Sequence, residues 1–264
     1  YTRVSGNYFQ DLRPNIMAQQ PSILPWVQDR RFGDPNAVLG GRWALDSQFV
    51  NLLRDSELSV ARLSLNPSWR RDDIIDPIGL KTAIEGKVRS DTYWAQQNSP
   101  FDTTSVTDPN TTVTRLFPST TLSASYPLVR PSQRVTMVIE PKAALTLSPN
   151  LKQDGTIPNE DSRDVQIDIS NLFDDSRFPG VDRVESGSHG AYGVKLGGYR
   201  DSDSAFVTVG QSHSFTDNTL FPEGSGLEHN RSDYVGQVEA TFRYRFYLDY
   251  PLQLNEKDFG SERQ

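Results

Sequence analysis

At 264 residues the chain is long enough for one or two domains with a sizeable core. Only 35% of it is hydrophobic, but aromatics reach 10%, which excludes a disordered composition. A net charge of −7 speaks against a nucleic-acid partner, and the absence of cysteine excludes disulfides, thiolate catalysis and cysteine-ligated metal centres within this chain.

No run approaches the roughly 18 apolar residues of a membrane-spanning helix, which leaves β-strands open, because these cross a bilayer by alternation. Helical periodicity is nearly missing and period two predominates. Residues 10–35 include Pro14, Pro21, Pro25 and Pro35 and predict a loop, an edge or a bulge, since proline cannot donate to a sheet ladder. Residues 39–53 form an irregular strand candidate. In 61–70, Ala61, Leu63, Leu65, Pro67 and Trp69 oppose Arg62, Ser64, Asn66, Ser68 and Arg70. A tight turn at 72–77 leads to 80–94, where Leu80, Ile84, Val88 and Trp94 oppose Lys81, Glu85, Lys87, Arg89 and Asp91. A long polar loop is expected over 97–112 and a weaker strand over 116–128. After a turn at 130–133, Val135, Met137, Ile139, Pro141, Ala143, Leu145 and Leu147 oppose Thr136, Val138, Glu140, Lys142, Ala144 and Thr146. Residues 148–165 read as a long loop, 191–200 and 205–215 as weaker strands joined by a turn at 201–203, and 216–232 as another long loop. The last ribbon is read as one strand over 234–250, with Tyr234, Val238, Phe242, Tyr244, Phe246 and Tyr250 on one side and Gln237, Glu239, Arg243 and Arg245 on the other.

About eight strands of some 10–15 residues, with short turns alternating with long loops, predict an all-β fold: an antiparallel transmembrane β-barrel fragment spanning residues 1–264. The chain opens at Tyr1 without a leader and closes in a polar tail, so it is expected to be a piece of a larger barrel. The charges of the clean strands keep to one parity, and Trp, Tyr and Phe gather near strand ends as in interfacial girdles. A soluble sheet with one wet face would share that one-sidedness, so a soluble carbohydrate-binding β-sandwich stays open as an alternative.

His189, His213 and His229 lack ligand spacing, and Ser188 beside His189 is a weak nucleophile candidate at best. The acidic group Glu160, Asp161, Asp164, Asp168, Asp174, Asp175 and Asp182 invites Ca²⁺, yet no Asp-x-Asp-x-Asp-Gly loop occurs, and a solvated loop is the plainer reading. No cofactor and no catalytic residue are expected.

One set of motifs is familiar: Ile139-Glu140-Pro141, Ile157-Pro158-Asn159-Glu160-Asp161-Ser162, Asn171-Leu172-Phe173, the run from Arg177 to Glu185 containing Phe178-Pro179-Gly180, then Tyr192-Gly193 and Val209-Gly210-Gln211-Ser212. Leu39-Gly40-Gly41-Arg42-Trp43, Gly79-Leu80 and Arg89-Ser90-Asp91 with Tyr93 fit the same pattern. The chain resembles the barrel region of the LptD (organic solvent tolerance) family of outer-membrane proteins, in the style of its alphaproteobacterial members. The resemblance implies a barrel in the Gram-negative outer membrane that delivers lipopolysaccharide to the outer leaflet. It also implies an LptE-type lipoprotein plug and a periplasmic transport bridge acting through a jellyroll domain outside this chain. In that frame Glu85, Lys87, Arg89, Glu140, Lys142, Glu239, Arg243 and Arg245 line a wet interior, where they hydrate the bore and neutralise one another, or meet the phosphorylated sugars or the plug. Asn159, Glu160, Asp161, Ser162, Arg177, Asp182 and Arg183 order a loop that folds back against the barrel, and the outward parity touches membrane lipid. A porin or transporter and an outer-membrane hydrolase are the rival readings.

Overall fold

The computed structural model describes residues 1–9, 22–35, 38–54, 58–75, 77–97, 110–151, 155, 157–216 and 221–256. Parts of the predicted proline-rich stretch and of the loops at 97–112 and 216–232 lie outside these residues. The strands are β1 (Thr2–Asn7), β2 (Ser22–Phe32), β3 (Arg42–Leu53), β4 (Leu58–Ile75), β5 (Leu80–Gln97), β6 (Asn110–Ser125), β7 (Leu128–Arg130), β8 (Thr136–Leu147), β9 (His189–Arg200), β10 (Asp203–Ser214), β11 (Tyr234–Phe242) and β12 (Phe246–Leu254). One 3-10 turn, Val38–Gly40, precedes β3. All pair antiparallel in the order β1-β2-β3-β4-β5-β6-β8-β9-β10-β11-β12, with β7 on β8. This is the all-β, long-stranded architecture of a β-barrel fragment.

The chain divides into two compact units. The first holds Tyr1–Arg70, Gly86–Pro118 and Gln153–Glu160; the second holds Arg71–Glu85, Ser119–Lys152 and Asp161–Gln264.

Among the described residues twelve strands stand where about eight are expected, and the departures at β2, β4 and the last ribbon have identifiable reasons. β2 runs through the proline-rich stretch: the β2–β3 register breaks between Ile23 and Trp26, so Pro25 sits in an irregularity where a missing donor costs nothing. β4 continues to Ile75, absorbing most of the turn expected at 72–77. The last ribbon is corrected outright: residues 234–250 are not one strand but a hairpin. Arg243 and Tyr244 have φ of 49° and 55°, and the Arg245 N–H donates to the Phe242 carbonyl at 3.0 Å. Two successive left-handed residues closed by that bond make a type I′ turn, normally marked by Asn-Gly or Asp-Gly. Arg-Tyr carries no such mark. Phe242 pairs with Phe246 and Val238 with Tyr250, so paired residues share parity and the alternation passes through the turn unbroken.

In the clean strands the burial pattern is the reverse of that of a soluble sheet. Along β8, Met137, Ile139, Pro141 and Ala143 are exposed, whereas Thr136, Val138, Glu140 and Lys142 are half-buried and Thr146 is buried. In β10, Val207 and Val209 are exposed while Thr208 is buried. β2 is less tidy: Asp29 and Arg31 pair at 2.8 Å on the side that carries Val27. The core lies on the polar side of the second unit. Ile167, Leu172 and Phe178, from the long loop after β8, pack with Phe221 and Leu227 against Ala191 of β9 and Val235 of β11.

Candidate functional site

The polar face of β8 to β11 and the loop seated on it form the most developed polar arrangement among the described residues. Register builds its charged row. Glu140 lies opposite Lys195 across β8 and β9, and Lys142 opposite Gly193. Lys142 Nζ stands 3.6 Å from Glu140, and Lys195 Nζ 3.3 Å from Glu239 of β11. Lys195 also lies over the Phe206 ring at 4.6 Å from its centroid, a cation–π contact. The structure therefore brings Glu140, Lys142 and Glu239 into one alternating row, completed by Lys195. Sequence reading overlooks Lys195 because Gly193, Gly197 and Gly198 around it dilute the alternation.

Arg243 and Arg245 do not belong to this row. They occupy the β11–β12 turn and are exposed, which corrects their assignment to a strand wall. Glu85, Lys87 and Arg89 are half-buried along β5. In the first unit, Arg115 Nε donates to Asp91 Oδ2 at 3.0 Å, with Tyr93 alongside. There too Arg54 grips Glu160 through two bonds of 3.0 and 2.7 Å, with both side chains largely buried. Arg54 carries no sequence signal of this role, because its partner lies 106 residues away. Asn159 beside Glu160 is exposed.

The seated loop is ordered by reciprocal bonds. Asp161 Oδ1 accepts the N–H groups of Val181 and Asp182 at 2.8 and 3.0 Å, while Asp182 Oδ2 accepts the Asp161 N–H at 2.9 Å. The Arg183 N–H donates to Ser162 Oγ at 3.0 Å, and its guanidinium reaches Asp164 at 2.7 Å and covers Phe178. Gly180, at φ 83°, makes this fold-back possible: a Cβ there would meet the Asp161 backbone and carboxylate. These carboxylates are spent on backbone donors, and among the described residues no three His, Asp or Glu side chains converge as metal ligands do.

Arg177 anchors the loop to the sheet. Its guanidinium and backbone N–H embrace the Glu185 carboxylate, with bonds of 2.9 and 3.0 Å to Oε2 and a closer one from Nη2 to Oε1. Its Nη1 donates to Ser212 Oγ of β10 at 2.9 Å. Both side chains of the ion pair are at most 3% exposed. Burial pushes the Glu185 carboxyl up, but the Arg177 charge and hydrogen bonds outweigh it and hold the group below the ordinary carboxylate value. Phe178 stacks on Phe221 at 4.6 Å. Beneath the loop the sheet is stripped of side chains: Gly193 and Gly210 pair across β9 and β10, with Phe173 and Leu172 in the space that Cβ atoms there would need.

His189 is buried, with Nδ1 at 3.4 Å from Glu185 and Nε2 at 3.3 Å from the Asp174 carbonyl. Ser188 Oγ donates instead to the Ser148 carbonyl at 3.3 Å. The adjacent serine and histidine thus face different partners, and no nucleophile–base pair is built here.

The whole chain, residues 1–264, matches the family model of LptD, LPS transport system D. An "LPS-assembly protein LptD" of Shewanella sp. (strain MR-4) is 25% identical over 236 residues, covering 84% of this chain and 29% of the relative. One of Neisseria meningitidis (serogroup B / serotype 15, strain H44/76) is 26% identical over 133 residues, covering 48% of this chain and 16% of the relative. The aligned part thus spans less than a third of these relatives' own length. An antiparallel sheet with an exposed apolar face, a loop on its polar face and a match along its full length together show that this chain belongs to the LptD family.

Proposed function

We propose that this chain is a stretch of the wall of an outer-membrane β-barrel that passes lipopolysaccharide to the outer leaflet of a Gram-negative bacterium. Translocation involves no bond chemistry. The amphiphile's sugars and phosphates need water and its acyl chains need hydrocarbon, and a wall with one wet and one oily face serves both. The observation that carries the reading is the inverted exposure of β8 and β10: Met137, Ile139, Val207 and Val209 are 41–54% exposed while Thr208 is 7% exposed. In water such a surface is unfavourable by about 25 cal/mol per Å², whereas against lipid it is the stable one.

On this reading the row Glu140, Lys142, Lys195 and Glu239, and Glu85, Lys87 and Arg89 of β5, face a hydrated bore. Their cations are the contacts for head-group phosphates or for an LptE-type plug lipoprotein. The periplasmic bridge acts through a jellyroll domain elsewhere in the intact protein. The test uses that intact protein in the outer membrane, with single cysteines at Met137, Ile139 and Val207 and at Lys142 and Thr208. A lipid-soluble maleimide is expected to modify the first three and spare the last two, and depletion of the protein is expected to lower surface lipopolysaccharide. Equal labelling of both sets would defeat the face assignment. A freely conducting pore whose loss leaves surface lipopolysaccharide unchanged would defeat the transport role.

A further inference from the structure

In the first unit too the apolar side is the exposed one: Leu53, Leu65 and Trp94 are exposed, while Arg62, Ser64 and Asp91 are buried. Toward one end this outward side turns polar. Along β4, Leu65, Leu63 and Ala61 follow one another on one face, and Ala61 pairs with Asn51 of β3. On β5, Trp94 is 42% exposed between the buried Tyr93 and Ala95. Asn51, Leu53, Ala61, Trp94, Gln96 and Thr112 line a groove of about 280 Å³. β4 lies between β3 and β5, so the small Ala61 forms the floor, with Leu53 on one flank and Trp94 on the other. The described residues that line the groove carry no charge. Asn51 Nδ2 donates to the Leu24 carbonyl at 2.8 Å, which fixes the amide and leaves Oδ1 as an acceptor. Gln96 and Thr112 are exposed and add donors and acceptors. They flank the long connection between β5 and β6, and long connections mark the outer end of bacterial barrels. The groove therefore stands at the head-group level of the outer leaflet, with Leu63 and Leu65 leading from it toward hydrocarbon.

We propose that this groove holds one uncharged sugar ring of a glycolipid in the outer leaflet: the ring stacks on Trp94, its hydroxyls bond Asn51, Gln96 and Thr112, and an acyl chain runs along Leu63 and Leu65. The lining selects this class. Two amides and a hydroxyl can satisfy several sugar hydroxyls at once, and the indole face meets the C–H face of a pyranose. A phosphate would find no cation among the described lining residues, and a bare acyl chain would leave the hydrogen bonds of the amides unmade. The site lies on the outside of the wall and not in the bore. It rests on the outward face meeting the outer leaflet of the barrel proposed above.

The intact protein is reconstituted in nanodiscs of phosphatidylethanolamine and lipopolysaccharide, with photoreactive benzoylphenylalanine in place of Leu53, on the flank of the groove, or of Leu116, exposed farther along β6. Adducts are identified by immunoblotting and mass spectrometry, and heat-modifiability on gels reports that each variant is folded. The expected result is a lipopolysaccharide adduct at Leu53 that falls about tenfold in Trp94→Ala, the loss of one well-stacked aromatic, and is kept in Trp94→Tyr. Lipid adducts at Leu116 should be unchanged in both variants. A Leu53 adduct unaffected by Trp94→Ala, with Leu116 still labelled, overturns the groove alone. Phosphatidylethanolamine as the sole Leu53 adduct overturns the sugar assignment. Equal labelling by deacylated lipopolysaccharide supplied alone overturns the lipid-bound occupant. The absence of any lipid adduct at Leu116 overturns the membrane face itself.

Discussion

Replacing Arg177 with alanine should release the loop that covers the polar face while leaving the strands paired. The substitution strands the Glu185 carboxylate at 3% exposure and removes the bond to Ser212. Removing one partner of a buried ion pair costs about 3–5 kcal/mol. At about 1.4 kcal/mol per tenfold, this raises the open population of the loop by roughly 10²-fold to a few thousand-fold. The strands keep their own ladders, so the loss is local. Limited proteolysis of the intact protein, read as cleavage within residues 157–187, follows this population when opening is fast relative to cleavage. Arg177→Lys should recover only part of the protection, because an ammonium cannot copy the two-pronged grip plus the third bond. Arg177→Met with Glu185→Leu should recover most of it, since a buried pair can be exchanged for apolar volume at little cost. Wild-type cleavage in Arg177→Ala, or a double variant as labile as the single one, would refute this account of the anchor.

Four further outcomes are expected. Acidification should open the same loop: the Glu185 carboxyl is lowered below its ordinary value of 4.5, so its contribution is present in full above that value and is lost as pH falls through the lower, folded value, measurable as protease sensitivity that appears only in acid. Leu172→Ala, at a site with 0% exposure, should destabilise the docked loop by about 2–5 kcal/mol in denaturant-dependent proteolysis, and Gly180→Ala should act in the same direction because φ of 83° and the nearby Asp161 backbone resist a Cβ. Tyr244→Gly should instead stabilise the last hairpin, since an L-residue in the left-handed region costs roughly 1–2 kcal/mol; an unchanged or lower melting temperature of the intact barrel would contradict the type I′ turn.

What the sequence shows plainly, it shows through side-chain parity. β8 can be read residue by residue from Val135 to Leu147, because one face is oily and the other is not. Parity fails where it is blind. It cannot see a turn whose paired residues have the same parity, so Tyr234 to Tyr250 looks like one ribbon, and Arg-Tyr lacks the glycine that would flag it. It also fails in β9, where glycines erase the contrast that would reveal Lys195. The fold-back of the loop is half legible. Motif residues Asp161, Ser162, Arg177, Asp182 and Arg183 stand out through family resemblance. Their partners are set by register and by distances along the chain that no local pattern encodes: Ser212 lies 35 residues from Arg177, and Glu160 pairs with an arginine 106 residues before it.

The facing glycines of β9 and β10 have a structural cost and a mechanical consequence. Where Gly193 meets Gly210, the partition is only a backbone thick, and its missing layer is supplied by Leu172 and Phe173 from a segment that follows β8. Withdrawing those two side chains would leave a strip of bare peptide on the polar face, open to water and easier to flex than the strand segments whose side chains pack there.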